Sequence, residues 1–351
     1  NERVLRARLE DAQFFFDEDR KKSLDEHREK LRTVVFQQGL GTMYEKTERL
    51  AVLADCIADA VHADEKAHKH AHRAALLSKA DLVTGMVQEF TELQGIMGRE
   101  YARLDGCCEG VARAIDEHYK PRFAGDAQPA TEAGRIVSLA DKIDTIVGTF
   151  SIGKIPTGSQ DPFALRRQAL GMVHTIIEAK YTLSLRALVG RAMDLYRITD
   201  ASARGKLQQA VADFIRLRLK NVLEGIRYDV VDAVLTHVDD VYGVILRAKA
   251  VESFLAGEDA AAGVQALVRA ANLAAKGKDD AMDPARFAAA EEKALFYAYE
   301  QAKKRVLAAC GSHDYVGALQ ALASLAAPID AFFDAVMVMD KDEAVRRNRL
   351  A

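Results

Sequence analysis

Apolar side chains recur at intervals of three and four residues along most of this chain, whereas strict alternation of apolar and polar residues is scarce. In the segment 42–62, for example, Leu50, Leu53 and Ile57 fall on one face of a helix. Alanine, leucine, arginine, lysine and glutamate, which favour helices, dominate the composition. The pattern therefore predicts an all-α fold.

The predicted helices group into two domains, which suits a length of 351 residues. We predict a first helical domain with a helical lead-in over 1–180, a connector over 181–205 and a second helical bundle over 206–351. Within them, helices are predicted over 1–19, 23–35, 42–62, 66–87, 107–120, 136–150, 162–180, 207–224, 286–309, 315–325 and 329–338.

The charge balance narrows the kinds of partner. The chain has 49 basic and 52 acidic residues, so any site for a polyanion must be a local patch. The four cysteines are scattered, apart from one adjacent pair, which is typical of reduced cytosolic thiols. We see no signal peptide and no apolar run near the roughly 20 residues of a membrane span, so we expect a cytoplasmic protein with no membrane contact.

One stretch, SIGKIPTGSQDPFALRRQALG, combines a loop rich in glycine and proline with the start of a helix. Asp161 is predicted as N-cap and Pro162 as the first helical residue. Unpaired N–H groups at a positive helix end favour an anion such as a phosphate, although the spacing is not that of a P-loop. A capped helix with solvated arginines is the alternative. The basic residues here are Lys154, Arg166 and Arg167.

A second set of candidates lies in the C-terminal half. Arginine offers forked donors to phosphates and stacks on bases, while a tyrosine stacks on an unpaired base. A solvated amphipathic helix face is the alternative interpretation. The candidates for contact with RNA are Arg216, Arg218, Lys220, Arg227, Tyr228, Arg346, Arg347 and Arg349.

Several segments resemble, in the same order, the β subunit of bacterial heterotetrameric glycyl-tRNA synthetase. They are NERVLRARLEDAQFFFDED, VVFQQGLGTMYEKTERL, LLSKADLVTGMVQEFTELQGIMGREYA, HYKPRFAGD, ADKIDTIVGTF, SIGKIPTGSQDPFALRRQALG, RLKNVLEGIRYDVVDAVL and FFDAVMVMDKDEAVRRNRLA. The family's subunit is considerably longer, and this chain has no initiator Met, so the resemblance implies its C-terminal half. It also implies an HD-like domain over 1–180 and a DALR-like anticodon-binding bundle over 206–351.

The resemblance to HD-type domains directs attention to Asp81 and Asp141. Enzymes of that type bind metal through a lone histidine, a His-Asp pair and a distant aspartate. Here the pair reads Ala80-Asp81, and Lys46 stands near the position of the first histidine. Because isolated carboxylates hold a divalent metal weakly, we expect vestigial positions with no metal. Both aspartates are then interpreted as packing or hydrogen-bonding residues.

Two histidines raise a separate possibility of metal binding. His68 and His72 lie one helical turn apart, a spacing that can chelate zinc. Basic neighbours such as Lys69 and Arg73 would repel a cation, so a solvated helix face is the favoured interpretation.

The resemblance implies the tRNA-binding part of the β subunit, which positions tRNA-Gly for ATP-dependent glycylation. We expect no catalytic residue in this chain and no bound cofactor, since amino-acid activation, with ATP and Mg²⁺, would take place on the α subunit. The implied partners are tRNA-Gly, the α subunit and the remainder of the β subunit. Two alternatives are an HD-type metal phosphohydrolase and a helical scaffold for protein interactions.

Overall fold

A computed structural model of the chain describes residues 2–123, 125–158, 160–257, 260–277 and 282–351. Helices make up most of this part of the chain, which confirms the all-α fold class. A short antiparallel ribbon pairs β1 (Val35–Gln37) with β2 (Gly41–Thr42). The chain divides into two compact units, which are described separately. Unit 1 lies within Asn1–Glu224 and Leu235–Tyr242, and unit 2 within Gly225–Val234 and Gly243–Ala351.

Unit 1 is built from eleven helices among the described residues, joined in places by short 3₁₀ turns over Leu31–Thr33, Ala80–Val83 and Thr91–Leu93. The helices are α1 (Glu2–Asp19), α2 (Leu24–Lys30), α3 (Met43–Ala60), α4 (Glu65–Leu77), α5 (Gly85–Glu89), α6 (Ile96–Leu104), α7 (Glu109–Glu117), α8 (Glu132–Ser151), α9 (Leu165–Ala179), α10 (Leu185–Leu195) and α11 (Ala201–Val222).

Helix α8 is the centre of unit 1 and packs against α3, α4, α7, α9, α10 and α11. Its apolar residues surround the helix instead of forming one stripe, as expected of a helix buried on all sides. Thr131 caps its N-terminus by accepting the N–H of Gly134. The same helix also buries several polar residues, among them Lys142, which contributes to the candidate site together with the half-buried Asp141.

The segment 181–205 differs from the predicted connector. It forms α10 and the beginning of α11, and α10 packs on α3, α8 and α11. Leu185, Val189 and Met193 fall on one face of α10 and are buried. Burial of that face joins the segment to unit 1, so the division between the units falls near residues 225–243 instead.

Unit 2 holds the remaining helices, which are α12 (Tyr228–Val234), α13 (Val241–Leu255, from Gly243 onward), α14 (Ala260–Ala274), α15 (Ala290–Gly311), α16 (Tyr315–Ala323), α17 (Ala326–Ala335) and α18 (Glu343–Leu350). One core cluster joins Ala266, Ala302, Leu325 and Ile329. A second cluster joins Phe332, Val336, Val338 and Leu350, which fixes α18 to the bundle.

One stretch of unit 2 contradicts the expectation that no apolar run approaches the length of a membrane span. Tyr315–Ala335 covers 21 residues with a mean hydropathy of 1.5, enough by length and composition alone to cross a membrane. The stretch is divided into α16 and α17, and it supplies Leu325, Ile329 and Phe332 to the core clusters. In this structure part of the stretch therefore packs into the bundle, and 28% of it is buried.

Candidate functional site

A cleft of about 500 Å³ opens in unit 1 beside Asp141, one of the two residues interpreted from the sequence as vestigial HD positions. The ammonium groups of Lys46, from α3, and Lys79, from the turn after α4, each lie 2.9 Å from an oxygen of the Asp141 carboxylate. Both lysines are buried. Burial alone would raise the pKa of Asp141, but these two cations hold it well below its usual value.

A second carboxylate, Asp144, lies one turn further along α8 and is completely buried. Its oxygens accept from Lys46 Nζ at 2.8 Å and from Arg49 Nε at 2.7 Å. Burial works to lower the pKa of Lys46, but Asp141 and Asp144 outweigh it and raise that pKa. The ion pairs therefore keep Lys46 charged inside the unit.

Lys142 is bound in a different way, because its partners among the described residues are uncharged. Its ammonium donates to Ser138 Oγ at 2.5 Å, the Lys120 carbonyl at 2.8 Å and the His118 carbonyl at 3.3 Å. Burial lowers the pKa of Lys142 to about 8. A positive charge thus lies next to Asp141 in sequence without a carboxylate of its own.

His118 completes the inner wall of the cleft as a neutral ring. Its Nδ1 lies 2.6 Å from the Ile115 carbonyl and its Nε2 lies 2.8 Å from the ammonium of Lys79. The carbonyl requires a proton on Nδ1, which leaves Nε2 as the acceptor for Lys79. Burial, followed by the nearby Lys79 charge, lowers the pKa of His118 well below its ordinary value.

Asp81, the other aspartate interpreted from the sequence as a vestigial HD position, does not line the cleft. Its Oδ2 accepts the N–H groups of Gly95 and Gly98 at 2.6 and 3.1 Å and so holds the start of α6. Its Oδ1 is buried without a hydrogen-bond partner in the described part of the chain. Burial raises the pKa of Asp81 to about 6.

These residues do not fit a divalent metal. Both oxygens of Asp141 already face ammonium groups, and a cation would be repelled by Lys46 and Lys79. His68 and His72 both contact Asp55 at 3.0 Å, on the partly exposed face of α4. Within the described ranges, neither place brings together three or more His, Cys, Asp or Glu side chains suited to a metal.

The loop and helix predicted to bind a phosphate differ from expectation in one respect. Helix α9 begins at Leu165 and not at Pro162, because Ala164 adopts a left-handed conformation with φ of 51°. The Asp161 carboxylate accepts the N–H groups of Leu165 and Arg166 at 2.8 and 3.0 Å. A carboxylate therefore already occupies donors that a phosphate would need.

The three basic residues of this stretch have different environments. Arg167 is exposed and lines the cleft, whereas Arg166 is half-buried. Lys154 is exposed on the loop, with its ammonium 5.5 Å from the centre of the Phe163 ring. The structure brings only Arg167 of the three to the cleft.

Helix α11 does not present its three basic candidates together. Arg218 is buried, donates to the Phe214 carbonyl at 2.9 Å and stacks on the Phe214 ring, so this conformation does not present it to RNA. Arg216 donates to the Leu235 carbonyl at 2.9 Å and pairs with Asp213. Lys220 is exposed. The alternative from the sequence is that these residues form a solvated face of α11. In the structure that face is partly covered, because Arg218 is buried and Arg216 is half-buried.

In unit 2, Arg227 and Tyr228 are both at the surface. Tyr228 is 82% exposed, as stacking on a base requires. Arg227 forms a forked pair with Asp229, with distances of 2.6 and 3.1 Å, and its side chain is 60% exposed. An exposed pair of this kind is weak enough to exchange Asp229 for a phosphate.

The C-terminal arginines of unit 2 also divide by burial. Arg349 donates to Glu292 at 2.7 Å and to Asp340 at 2.9 Å, which fastens α18 to α15, and its contact with RNA stays a prediction. Arg346 is half-buried and donates to the Asp340 carbonyl. Arg347 is exposed and pairs only with Glu343 among the described residues, at 2.9 Å.

Comparison with known proteins places these two units in a family. Residues 1–236 match the family model described as glycyl-tRNA synthetase beta subunit, and residues 264–351 match the DALR anticodon binding domain. The chain belongs to the glycyl-tRNA synthetase beta-subunit family. The resemblance seen in the sequence is thereby confirmed.

Individual relatives agree with this membership. The glycine–tRNA ligase beta subunits of Clostridioides difficile and Syntrophus aciditrophicus are 46% and 47% identical over 355 and 354 residues, covering all of this chain and 51% of each relative. The beta subunit of Thiobacillus denitrificans is 46% identical over 360 residues, covering half of that protein. The chain spans about half the length of the curated relatives it matches.

Within the matched anticodon-binding domain, sequence reasoning missed a group of exposed residues on α15. Three consecutive cations are exposed there, and two tyrosines on the same helix are 68% and 43% exposed. The basic run was visible in the sequence, but its exposure was not. These residues are Tyr297, Tyr299, Lys303, Lys304 and Arg305.

The lysines of the unit 1 cleft were also missed as a group. The sequence feature that could have indicated such a lysine is a charged residue within a mostly apolar segment, as Lys142 is within ADKIDTIVG. Lys46, Lys79 and Lys142 come from separate helices or turns, and packing around α8 brings them to one cleft.

Proposed function

We propose that this chain is the tRNA-binding part of a glycyl-tRNA synthetase β subunit and positions tRNA-Gly for glycylation. The observation that carries the proposal is the match of residues 264–351 to the anticodon-binding domain. The bundle that these residues form displays cations and aromatic rings on its surface.

The chemistry of unit 2 suits a single-stranded loop such as an anticodon. Unpaired bases stack on exposed aromatic rings, and phosphates are neutralised by lysine and arginine. Tyr297 and Tyr228 supply two exposed rings, while Lys303, Lys304 and Arg227 supply exposed charges. Tyr297, Lys303 and Lys304 belong to the matched anticodon-binding domain, whereas Arg227 and Tyr228 precede it in the same unit. Each feature is common on protein surfaces, and their presence together in one unit supports the proposal.

The complete reaction requires other parts of the enzyme. In this proposal the α subunit activates glycine with ATP and Mg²⁺, and the remainder of the β subunit joins this chain to it. This chain contributes binding and orientation of tRNA and no catalytic residue. The protein would act in the cytoplasm, where aminoacyl-tRNA is consumed by translation.

The test is binding of tRNA-Gly to the complete α/β enzyme across a series of salt concentrations. We expect a preference for tRNA-Gly over a non-cognate tRNA that persists at moderate salt. Single changes in the anticodon should cost about 1–3 kcal/mol each, by analogy with the loss of one base contact. Equal affinity for all tRNAs at every salt concentration would contradict base recognition.

A pair of variants connects the expected preference to unit 2. The double variant Tyr297→Ala/Lys304→Ala should bind tRNA-Gly more weakly than the parent enzyme. Its affinity should also depend less on the anticodon sequence. Lys276→Ala removes an exposed charge of the same unit outside α15 and is the matched control. If both proteins bind alike, α15 does not face the anticodon.

A further inference from the structure

The unit 1 cleft has a surplus of positive charge that its own residues do not neutralise. Lys46, Lys79 and Arg49 share the carboxylates of Asp141 and Asp144. Lys142 adds a fourth cation, and its partners in the described chain are two carbonyls and a hydroxyl. Arg49 and Asp144 pair behind the cleft, so the floor itself presents Lys46, Lys79, Lys142 and one carboxylate, Asp141, with a formal charge of +2.

A surplus of charge is costly when the charged groups are buried. Lys46, Lys79 and Lys142 are each between 2% and 4% exposed. Buried charges without counter-charges lose their hydration and gain little in return. A bound anion would supply the missing negative charge.

The mouth of the cleft adds groups suited to an oxyanion. Arg167 is exposed at the start of α9, and its side chain makes no ion pair among the described residues. Arg122 also lines the cleft and pairs with Asp116 at 2.7 Å. The hydroxyl of Tyr119 is buried in the wall without a partner in the described part of the chain. Glu92 is the exposed acidic group in the lining, so cations remain in the majority.

We propose that this cleft binds a phosphate monoester, with the phosphate oxygens directed to the lysines of its floor and to Arg167. A monoester phosphate is a dianion near neutral pH, which matches the formal surplus of two charges. The phosphodiesters inside an RNA strand carry one charge each and are flanked by sugars on both sides. They cannot project into a floor that is buried to this degree, whereas a terminal phosphate can.

The floor is arranged to hold this group and not to cleave it. Both oxygens of Asp141 face ammonium groups, and Nε2 of His118 faces Lys79. Neither side chain is placed to take a proton from an attacking water. The cleft thus differs from the metal phosphohydrolase considered from the sequence, although it would receive the same chemical group.

Two sources provide this chemistry, namely a free nucleotide and the 5′-terminal phosphate of an RNA. The test uses the complete enzyme with inorganic phosphate and adenosine 5′-monophosphate as small probes, followed by calorimetry at constant ionic strength. In a second arm, tRNA-Gly carrying a 5′-phosphate is compared with the same RNA carrying a 5′-hydroxyl. We expect saturable binding of the small probes, and this outcome does not depend on the proposed tRNA role.

Variants locate the binding. Arg167 is exposed, so Arg167→Ala should weaken binding of the small probes several-fold without affecting the fold. Lys142→Met should weaken their binding at least tenfold, because a charge-assisted contact is lost. Arg191→Ala, an exposed arginine of α10, is the matched control. Circular dichroism separates loss of binding from loss of fold in the Lys142 variant.

The possible results distinguish a free nucleotide from the 5′ end of an RNA as the source of the phosphate, and they also include results that would overturn the proposal. Binding of adenosine monophosphate with no effect of the RNA 5′ group supports the free nucleotide. Tighter binding of 5′-phosphorylated tRNA, lost in Arg167→Ala, supports the RNA end. The proposal is overturned if no probe binds saturably and the two RNAs bind equally, or if Arg167→Ala and a folded Lys142→Met bind every probe as well as the parent enzyme. Failure of anticodon recognition alone would leave the result for the small probes unchanged.

Discussion

The cations of unit 1 and those of unit 2 are held in opposite ways. Lys46 and Lys79 are buried against carboxylates in the centre of unit 1. Arg227 and Arg347 are exposed on unit 2 and pair with neighbours two or four positions away. Buried charges require compensation from fixed partners, whereas exposed pairs are weak and can exchange for phosphates. Burial therefore determines whether a cation supports the fold or is available to a polyanion.

The largest effect should come from removing the central buried carboxylate. Asp144→Ala leaves the buried Arg49 without a carboxylate partner and leaves Lys46 with Asp141 alone, so we expect a loss of about 3–5 kcal/mol in the free energy of unfolding. Urea unfolding followed by circular dichroism measures this loss. Asp213→Ala, which breaks the exposed pair with Arg216, is the control and should cost less than about 1 kcal/mol. Equal costs would contradict the contrast.

Asp81 is a buried carboxylate that, unlike Asp144, has no cation in direct contact within the described part of the chain. It therefore tests what burial does to a charge that lacks a fixed counter-charge. Since its folded pKa of about 6 lies above the ordinary value of 3.8, its contribution to stability is present below pH 3.8 and is lost as pH rises through 6. That difference corresponds to about 3 kcal/mol. Asp81→Asn keeps an acceptor for Gly95 and removes the ionisation.

The measurement for Asp81→Asn is the difference in unfolding free energy between variant and parent at several pH values. The variant should gain stability relative to the parent as pH rises from 4 to 7. Above pH 7 Asp81 is ionised in both the folded and the unfolded parent, so its ionisation should no longer change the difference in unfolding free energy. A difference that does not change with pH would show that Asp81 is not buried as described.

Within unit 2, we expect a change at Arg349 to affect stability and a change at Arg347 to affect tRNA binding. Arg349→Ala removes charge-assisted hydrogen bonds to the buried Glu292, and we expect a loss of about 2 kcal/mol. Arg347→Ala should leave stability almost unchanged and weaken tRNA binding. Thermal unfolding and a binding assay on both variants measure the two effects. The reverse pattern would mean that α18 is oriented differently.

The smallest effect compares Arg227 with Arg218. Affinity for tRNA falls as salt rises, and the steepness of that fall depends on the number of phosphate contacts. Arg227→Ala should make the slope of log affinity against log salt shallower by just under one unit, because one phosphate contact is lost. Arg218→Met keeps the buried volume and should leave the slope unchanged, because Arg218 lies against Phe214. Filter binding of tRNA-Gly across a salt series measures both slopes. A shallower slope for Arg218→Met would place that guanidinium on RNA.

Helix boundaries were predictable where capping residues mark them. Thr42 and Glu45 form a capping box at the start of α3, as the predicted helix over 42–62 implies. The predicted start at Pro162 was wrong by three residues, because Ala164 takes a left-handed conformation that no residue preference indicates. The segment 181–205 was misjudged because its apolar face becomes visible only when α3 and α8 pack on it.

The sequence by itself determined the all-α class and the family, because helical periodicity and ordered motifs are local features of the chain. It also located the aspartate beside the cleft and an exposed tyrosine, Tyr228. Tertiary structure alone decided that Lys46, Lys79 and Lys142 converge beside Asp141. It also decided that Arg218 is buried and Arg349 is half-buried against Glu292, while Arg227 and Arg347 are exposed. The physical reason is that the role of a charge depends on its solvation and its nearest partners, and residues far apart in sequence supply both.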